Sequence, residues 1–283
     1  MEIKIISTFG AAKEYLAAAK QDDADIKALW QKHMIDPFWP EIAKWAPFDQ
    51  SFKQPSPIMR LTELGAQLAI LAQIDIDAMQ VEFVAIASAL PSKDDDPMLV
   101  ALYPLCDGNK IVKEHQNGVV GASVFGNMII NINPLADGWQ KWIPFVFAHE
   151  YHHNIWGHNW FVQRGGEGIE GTLLEAMITE GQADLFAESL FPGLAPSWNR
   201  PFDDKTEKML WERTKPALFN VDYKINAIYM FGNENEGLPW CMGYSFGKAI
   251  VQDYMQRYPG VSFLDLLDIS AKEIFEGGKY DKI

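Results

Sequence analysis

The chain is expected to fold as an α+β protein, mostly helical, with a small sheet preceding a histidine-bearing helix. Three observations predict this. Helical patterns dominate the first third, β-branched and aromatic runs follow in mid-chain, and helical patterns resume from about residue 136. No internal repeat or low-complexity tract interrupts that order. A single domain over 1–283 is the expectation, with a helical N-terminal part (1–95) and a sheet-plus-helix part (96–283). Hydrophobic residues at 48% and charged residues at 22% suit a well-packed globular protein.

Each element has its own reason. AAKEYLAAAK and DDADIKALWQKHM suit helices, with Asp22 or Asp23 available to cap the second. DPFWPEIAKWAPFDQSFKQPSP predicts irregular but packed structure, being too aromatic to stay in water. LTELGAQLAILAQ continues the helical part. PMLVALYPL and VVGASVFGNMIININP carry the residues expected of strands, and Gly121 to Ile132 is expected to form a sheet edge that pairs with an extended peptide. The next helix runs through FAHEYHHNIWGH, with Pro144 in its first turn and Phe145, Val146 and Ala148 as its buried flank. QRGGEGIEG reads as a mobile connector to TLLEAMITEGQADLFAESL, with a loop lining or covering the cleft as its other reading. YSFGKAIVQDYMQRY and FLDLLDISAKEIF supply the last helices.

The net charge of −14, with no Lys/Arg cluster, excludes a nucleic-acid partner. Cys106 and Cys241 lie far apart and outside any CxxC, so both are expected as free thiols. MEIKIISTFG lacks the basic and apolar regions of a signal peptide, and no apolar run reaches spanning length. A cytoplasmic location without a membrane partner is therefore expected.

Four of the six histidines fall within Phe147 to His158. HEYHH satisfies H-E-x-x-H, with His149 and His153 one turn apart and about 40° round the helix. Both imidazoles can reach one Zn²⁺ while Glu150 stands beside them to take a proton from water. Glu150 and His153 also match the Glu-x-x-His of di-iron bundles, but no second such pair exists in the chain. The long metzincin motif would place glycine at 156 and histidine at 159, where Trp156 and Asn159 stand. Gly157 and His158 are each one position off, and His158 is read as structural or as a partner behind the ligands, not as a ligand.

Catalytic zinc needs a third protein ligand and an open position. Glu175, Glu180, Asp184 and Glu188 are available on the following helix. Glu180 and Asp184 share a face, whereas Glu175 lies about 140° away from Glu180. Glu180 is expected to ligate and Asp184 to accept the outward N–H of a ligand histidine. Glu175 and Glu188 then belong to a solvated face. Gly181 costs about 1 kcal/mol relative to alanine, which a close approach of the histidine helix would rationalise.

HEYHH, TLLEAMITEGQAD and LPWCMGYSFGKAIVQDY together resemble the YjaZ-like bacterial zinc-dependent proteases, over roughly Leu135 to Leu267. The resemblance implies a zincin-like fold of the gluzincin kind and one Zn²⁺ per chain. It carries His149 and His153 over as motif ligands, Glu150 as the base and Glu180 as the third ligand. Gluzincins often use a downstream Tyr or His as oxyanion donor, and Tyr244 is the candidate; a packed aromatic beside Trp240 is its other reading. The expected activity is a metallopeptidase acting on a peptide or protein. A non-catalytic metal-dependent binding or regulatory protein, or a zinc amidase or esterase of small molecules, would use the same residues.

Overall fold

Ile3–Ser7 forms strand β1, which the helical reading of the first third did not contain, although its IKII run carries the β-branched signal. It pairs in parallel with β2 (Met98–Pro104), Ile5 opposite Val100. The computed structural model describes residues 2–92, 96–105 and 116–283, so Cys106 lies outside the described residues. Cys241 is a buried free thiol. The described chain divides into two compact units, Met1–Asn154 and Ile155–Ile283.

In the first unit, β3 (Val119–Val124) and β4 (Asn127–Ile132) form a hairpin, and the sheet runs in the order β1-β2-β4-β3. β4 is parallel to β2, and only β3 is antiparallel. The expected edge over Gly121 to Ile132 is therefore two strands: β3 is the edge, and β4 lies inside the sheet. The hairpin turns through Phe125 and Gly126 at φ +42° and +90°, as a two-residue turn between right-twisted strands demands.

Parallel β1 and β2 require a long crossover, and helices supply it. These are α1 (Phe9–Ala19), α2 (Ile26–Trp30), α3 (Trp39–Ile42), α4 (Leu61–Leu71) and α5 (Ile76–Ser88). The cap of α2 is Asp25, whose carboxylate accepts from Ala28 N at 3.0 Å. The expected caps Asp22 and Asp23 lie too early, and Asp23 takes a left-handed turn at φ +60°. Segment 36–57, expected to be irregular and packed, is irregular apart from α3 and one short 3-10 turn (Ser51–Lys53), and it is only partly packed. Trp39, Ile42 and Ile58 are buried, whereas Trp45, Phe48 and Phe52 are exposed. Hydrogen bonds from Tyr15 Oη to Ile58 O and Trp30 Nε1 to Pro55 O tie its far end down.

α6 (Trp139–Gly157) carries the histidines. It starts a turn earlier than expected, so Pro144 lies inside the helix, not in its first turn. Phe147 stacks on Phe83 of α5 at 3.9 Å between centroids, and Tyr151 Oη donates to Leu90 O at 2.9 Å. Phe145, Val146 and Ala148 are buried as expected.

In the second unit, the helices are α7 (Leu173–Leu190), α8 (Asp204–Thr214), α9 (Tyr223–Phe231), α10 (Met242–Arg257), α11 (Phe263–Leu266) and α12 (Ala271–Gly277). Met177, Ile178, Trp211, Phe246 and Ile250 lie in their shared core. No helix of the described residues is long and apolar enough to cross a membrane.

Gly181 owes its place to a different helix from the one expected. A Cβ on Gly181 would lie 2.3 Å from the Gly247 carbonyl carbon of α10, so the helix that approaches it is α10 and not the histidine helix. The fit is reciprocal, because a Cβ on Gly247 would lie 1.8 Å from Met177 O. Backbone cannot step aside as a side chain can. Gly247→Ala is therefore expected to destabilise by about 3 kcal/mol or more, outweighing the 0.5–1 kcal/mol that alanine ordinarily gains in a helix. Urea unfolding reads this directly, and an unchanged midpoint would mean that the crossing yields.

Candidate metal centre

At about 100° per residue, three i, i+4 pairs occupy different sides of α6. Phe147 and Tyr151 face α5. Val146 and Glu150 face β3, where a Cβ on Gly121 would lie 2.7 Å from Val146 Cγ1 and 2.3 Å from Glu150 Cγ. His149 and His153 form a third stripe, about 60° from the glutamate stripe and about 160° from the aromatic one. Packing of two stripes thus fixes the third.

His149 is buried and His153 half-buried. Their Nε2 atoms face each other at 3.0 Å, with the rings edge to face at 83°. Two nitrogens bound to one tetrahedral zinc at ~2.0–2.1 Å stand about 3.3 Å apart, so this pair converges as zinc ligands do. Together with Glu180 they form a three-residue group, each offering one ligand atom, and these atoms lie within 4.8 Å of one another. Two imidazoles and a carboxylate are a donor set that suits zinc.

Glu150 is nearly buried, and its Oε2 accepts the Ser123 backbone N–H at 2.7 Å. Asn154 reinforces this side of α6. Its Oδ1 accepts from Gly126 N at 2.9 Å and its Nδ2 donates to Glu150 O at 3.2 Å. The sheet edge and its hairpin turn therefore hold the carboxylate. His152 is fully buried, and His158 begins the π-helical turn His158–Gln163 that follows α6.

On α7, the four acids separate by their contacts. Glu175 completes a capping box with Thr172, its carboxylate accepting from Thr172 N at 2.8 Å and Glu170 N at 3.0 Å. Glu188 pairs with Lys248, and burial raises its pKa against that pull. Both therefore have local work, whereas they were expected on a solvated face. Asp184 is fully buried, and its carboxylate accepts from Trp198 Nε1 at 3.1 Å and Asn199 Nδ2 at 2.5 Å. Glu180 is half-buried one turn before it.

Cys241 caps α10 in a left-handed conformation at φ +54°. Burial pushes its thiol up to about 12, with the charges of Glu180 and Asp184 adding to the shift. Tyr244 lies in the first turn of α10, half-buried, with its ring 6.1 Å from that of Phe231.

Sequence reasoning missed Ser123, Gly121 and Asn154. Gly121 had a signal, since glycine inside a strand run marks close approach of another chain segment. Ser123 had none, because it acts through its backbone N–H.

The family described as "Predicted Zn-dependent protease (DUF2268)" matches residues 77–276. The "Uncharacterized protein YjfC" of Bacillus subtilis (strain 168) is 27% identical over 165 residues, 54% of this chain and 52% of that protein. The chain thus spans about half the length of this curated relative. No solved structure matches.

Proposed function

Because the chain belongs to the predicted Zn-dependent protease family (DUF2268), we propose that it is a monozinc peptide hydrolase of the gluzincin kind, close to the YjaZ-like group. The observation that carries this reading is the grouping of His149, His153 and Glu180 beside a carboxylate, Glu150, that is anchored and not itself among the grouped ligands. A non-catalytic metal-binding protein has no need of a buried acid held at that point.

Bound zinc would supply Lewis-acid polarisation of the scissile carbonyl and of the attacking water. His149, His153 and Glu180 would hold it. With Oε2 fixed by Ser123 N–H, Glu150 turns Oε1 to the water, takes its proton and delivers it to the leaving nitrogen. Asp184 steadies a ligand imidazole from behind. In this scheme Trp198 and Asn199 hold its carboxylate in one orientation.

Tyr244 donates its hydroxyl to the developing oxyanion. Tyr244→Phe is expected to lower kcat about 10²–10³-fold with little change in KM, the usual cost of one such donor. A fall of less than tenfold on a peptide substrate assigns Tyr244 to packing against Phe231 instead. The reading as a whole is tested by peptide hydrolysis that a strong chelator abolishes and stoichiometric zinc restores.

A further inference from the structure

Trp45, Phe48 and Phe52 are 50%, 59% and 74% exposed, three large rings within one short segment. Phe48 meets Phe125 edge to face at 5.1 Å between centroids. Trp45 Cδ1 lies 3.5 Å from the position of a Cβ on Gly126. Phe52 lies beneath the Lys53 ammonium, which also donates to Ser123 O at 2.7 Å. All of these converge on the Ser123–Gly126 end of the β3–β4 hairpin, and Ser123 N–H is the group that holds Glu150.

The arrangement is built and not incidental. Asn127 Nδ2 donates to the carbonyls of Glu41 and Ile42 at 3.1 and 3.0 Å, tying the hairpin to the aromatic segment. Phe125 takes a left-handed conformation at φ +42°, where a non-glycine residue costs roughly 1–2 kcal/mol and asparagine or glycine would cost less. The strain keeps an aromatic ring at the turn.

We propose that Phe48 and Phe125, walled by Trp45, form a subsite that selects a large apolar side chain on a peptide substrate, about two residues from the scissile bond. The proposal rests on the peptidase reading above. β3 is the sheet edge, and both outward groups of Ser123 are already used, its N–H by Glu150 and its C=O by Lys53. A peptide passing Glu150 therefore gains no main-chain bond at Ser123 and is held by side-chain contact beyond it. At about 3.4 Å per strand residue, Phe125 lies about 7 Å further on, two residues along. A membrane surface fits less well, because the net charge of −14 opposes anionic lipid. Trp45, Phe48 and Phe52 also precede the matched span 77–276, so this wall comes from the part of the chain outside the family match.

The test uses the full-length zinc-loaded protein and a set of decapeptides varying Phe, Leu, Ala and Asp at each position around the cleaved bond. Phe is expected to exceed Ala in kcat/KM by at least about tenfold at one position two residues from the cut, within the roughly 10–200-fold a hydrophobic pocket discriminates. Phe48→Ala should reduce that ratio to less than threefold, and Trp45→Ala should lower it in the same direction. Phe219→Ala, an equally exposed aromatic at 56%, should leave the ratio unchanged. Binding of the same peptides to zinc-loaded Glu150→Gln separates two failures. Phe-selective binding without any hydrolysis by the wild type supports the subsite and sinks the peptidase reading. Hydrolysis with no apolar preference, or with a preference that Phe48→Ala leaves intact, overturns the subsite. Adsorption to phosphatidylglycerol vesicles that Phe48→Ala abolishes, with no peptide preference, also overturns it and gives the patch to a lipid surface.

Discussion

Glu150→Gln is expected to fold normally, bind zinc as the wild type does and lose at least about a hundredfold in kcat, the lower end of general-base effects. The side chain keeps its size, and its amide oxygen can still accept from Ser123 N–H, the bond that fixes the carboxylate at 2.7 Å. Packing against Gly121 is unaltered as well. What disappears is the capacity to take a proton at neutral pH. Zinc content near that of the wild type is essential to the interpretation, because it separates loss of the base from loss of the metal. Retained turnover would mean that another group activates the water.

Much of this arrangement was legible because it depends on helical spacing. HEYHH puts two imidazoles on one stripe of any α-helix, and α6 is helical throughout that run. In the E-G-Q-A-D run, Glu180 is grouped with the histidines, while Glu175 and Glu188 serve a cap and an ion pair. The capping box carries a T-x-x-E signature at Thr172 to Glu175, which the expectation of a solvated face for Glu175 passed over.

What spacing could not convey was contact between distant segments. Gly181 was visibly out of place in a helix, but its partner, Gly247, lies on α10, and nothing local distinguishes that helix from α6. The strand β1 was missed because five residues between a chain start and a strong helix give too short a pattern. The aromatic segment was taken as packed because single-residue hydrophobicity predicts burial. Three of its rings, Trp45, Phe48 and Phe52, stay exposed instead.

Glu180→Ala is expected to weaken zinc binding by more than about 100-fold, beyond what loss of a partner behind the ligands costs. Glu180 supplies one of three ligand atoms within 4.8 Å of one another, and removing it leaves only the two imidazoles. Asp184→Asn should weaken zinc about 10- to 100-fold. It also puts an amide donor against Trp198 Nε1 or Asn199 Nδ2, both of which now donate to the carboxylate. Glu175→Ala should cost about 1 kcal/mol of stability through its cap and leave zinc affinity unchanged.

A competition titration of the metal-free wild type and these variants against a chromophoric zinc chelator tests the central claim most directly. The account predicts one tight zinc per wild-type chain, an unchanged site in Glu175→Ala and no tight site in Glu180→Ala. Two tight zinc ions per chain, or tight binding that survives in Glu180→Ala and fails in Glu175→Ala, would contradict it.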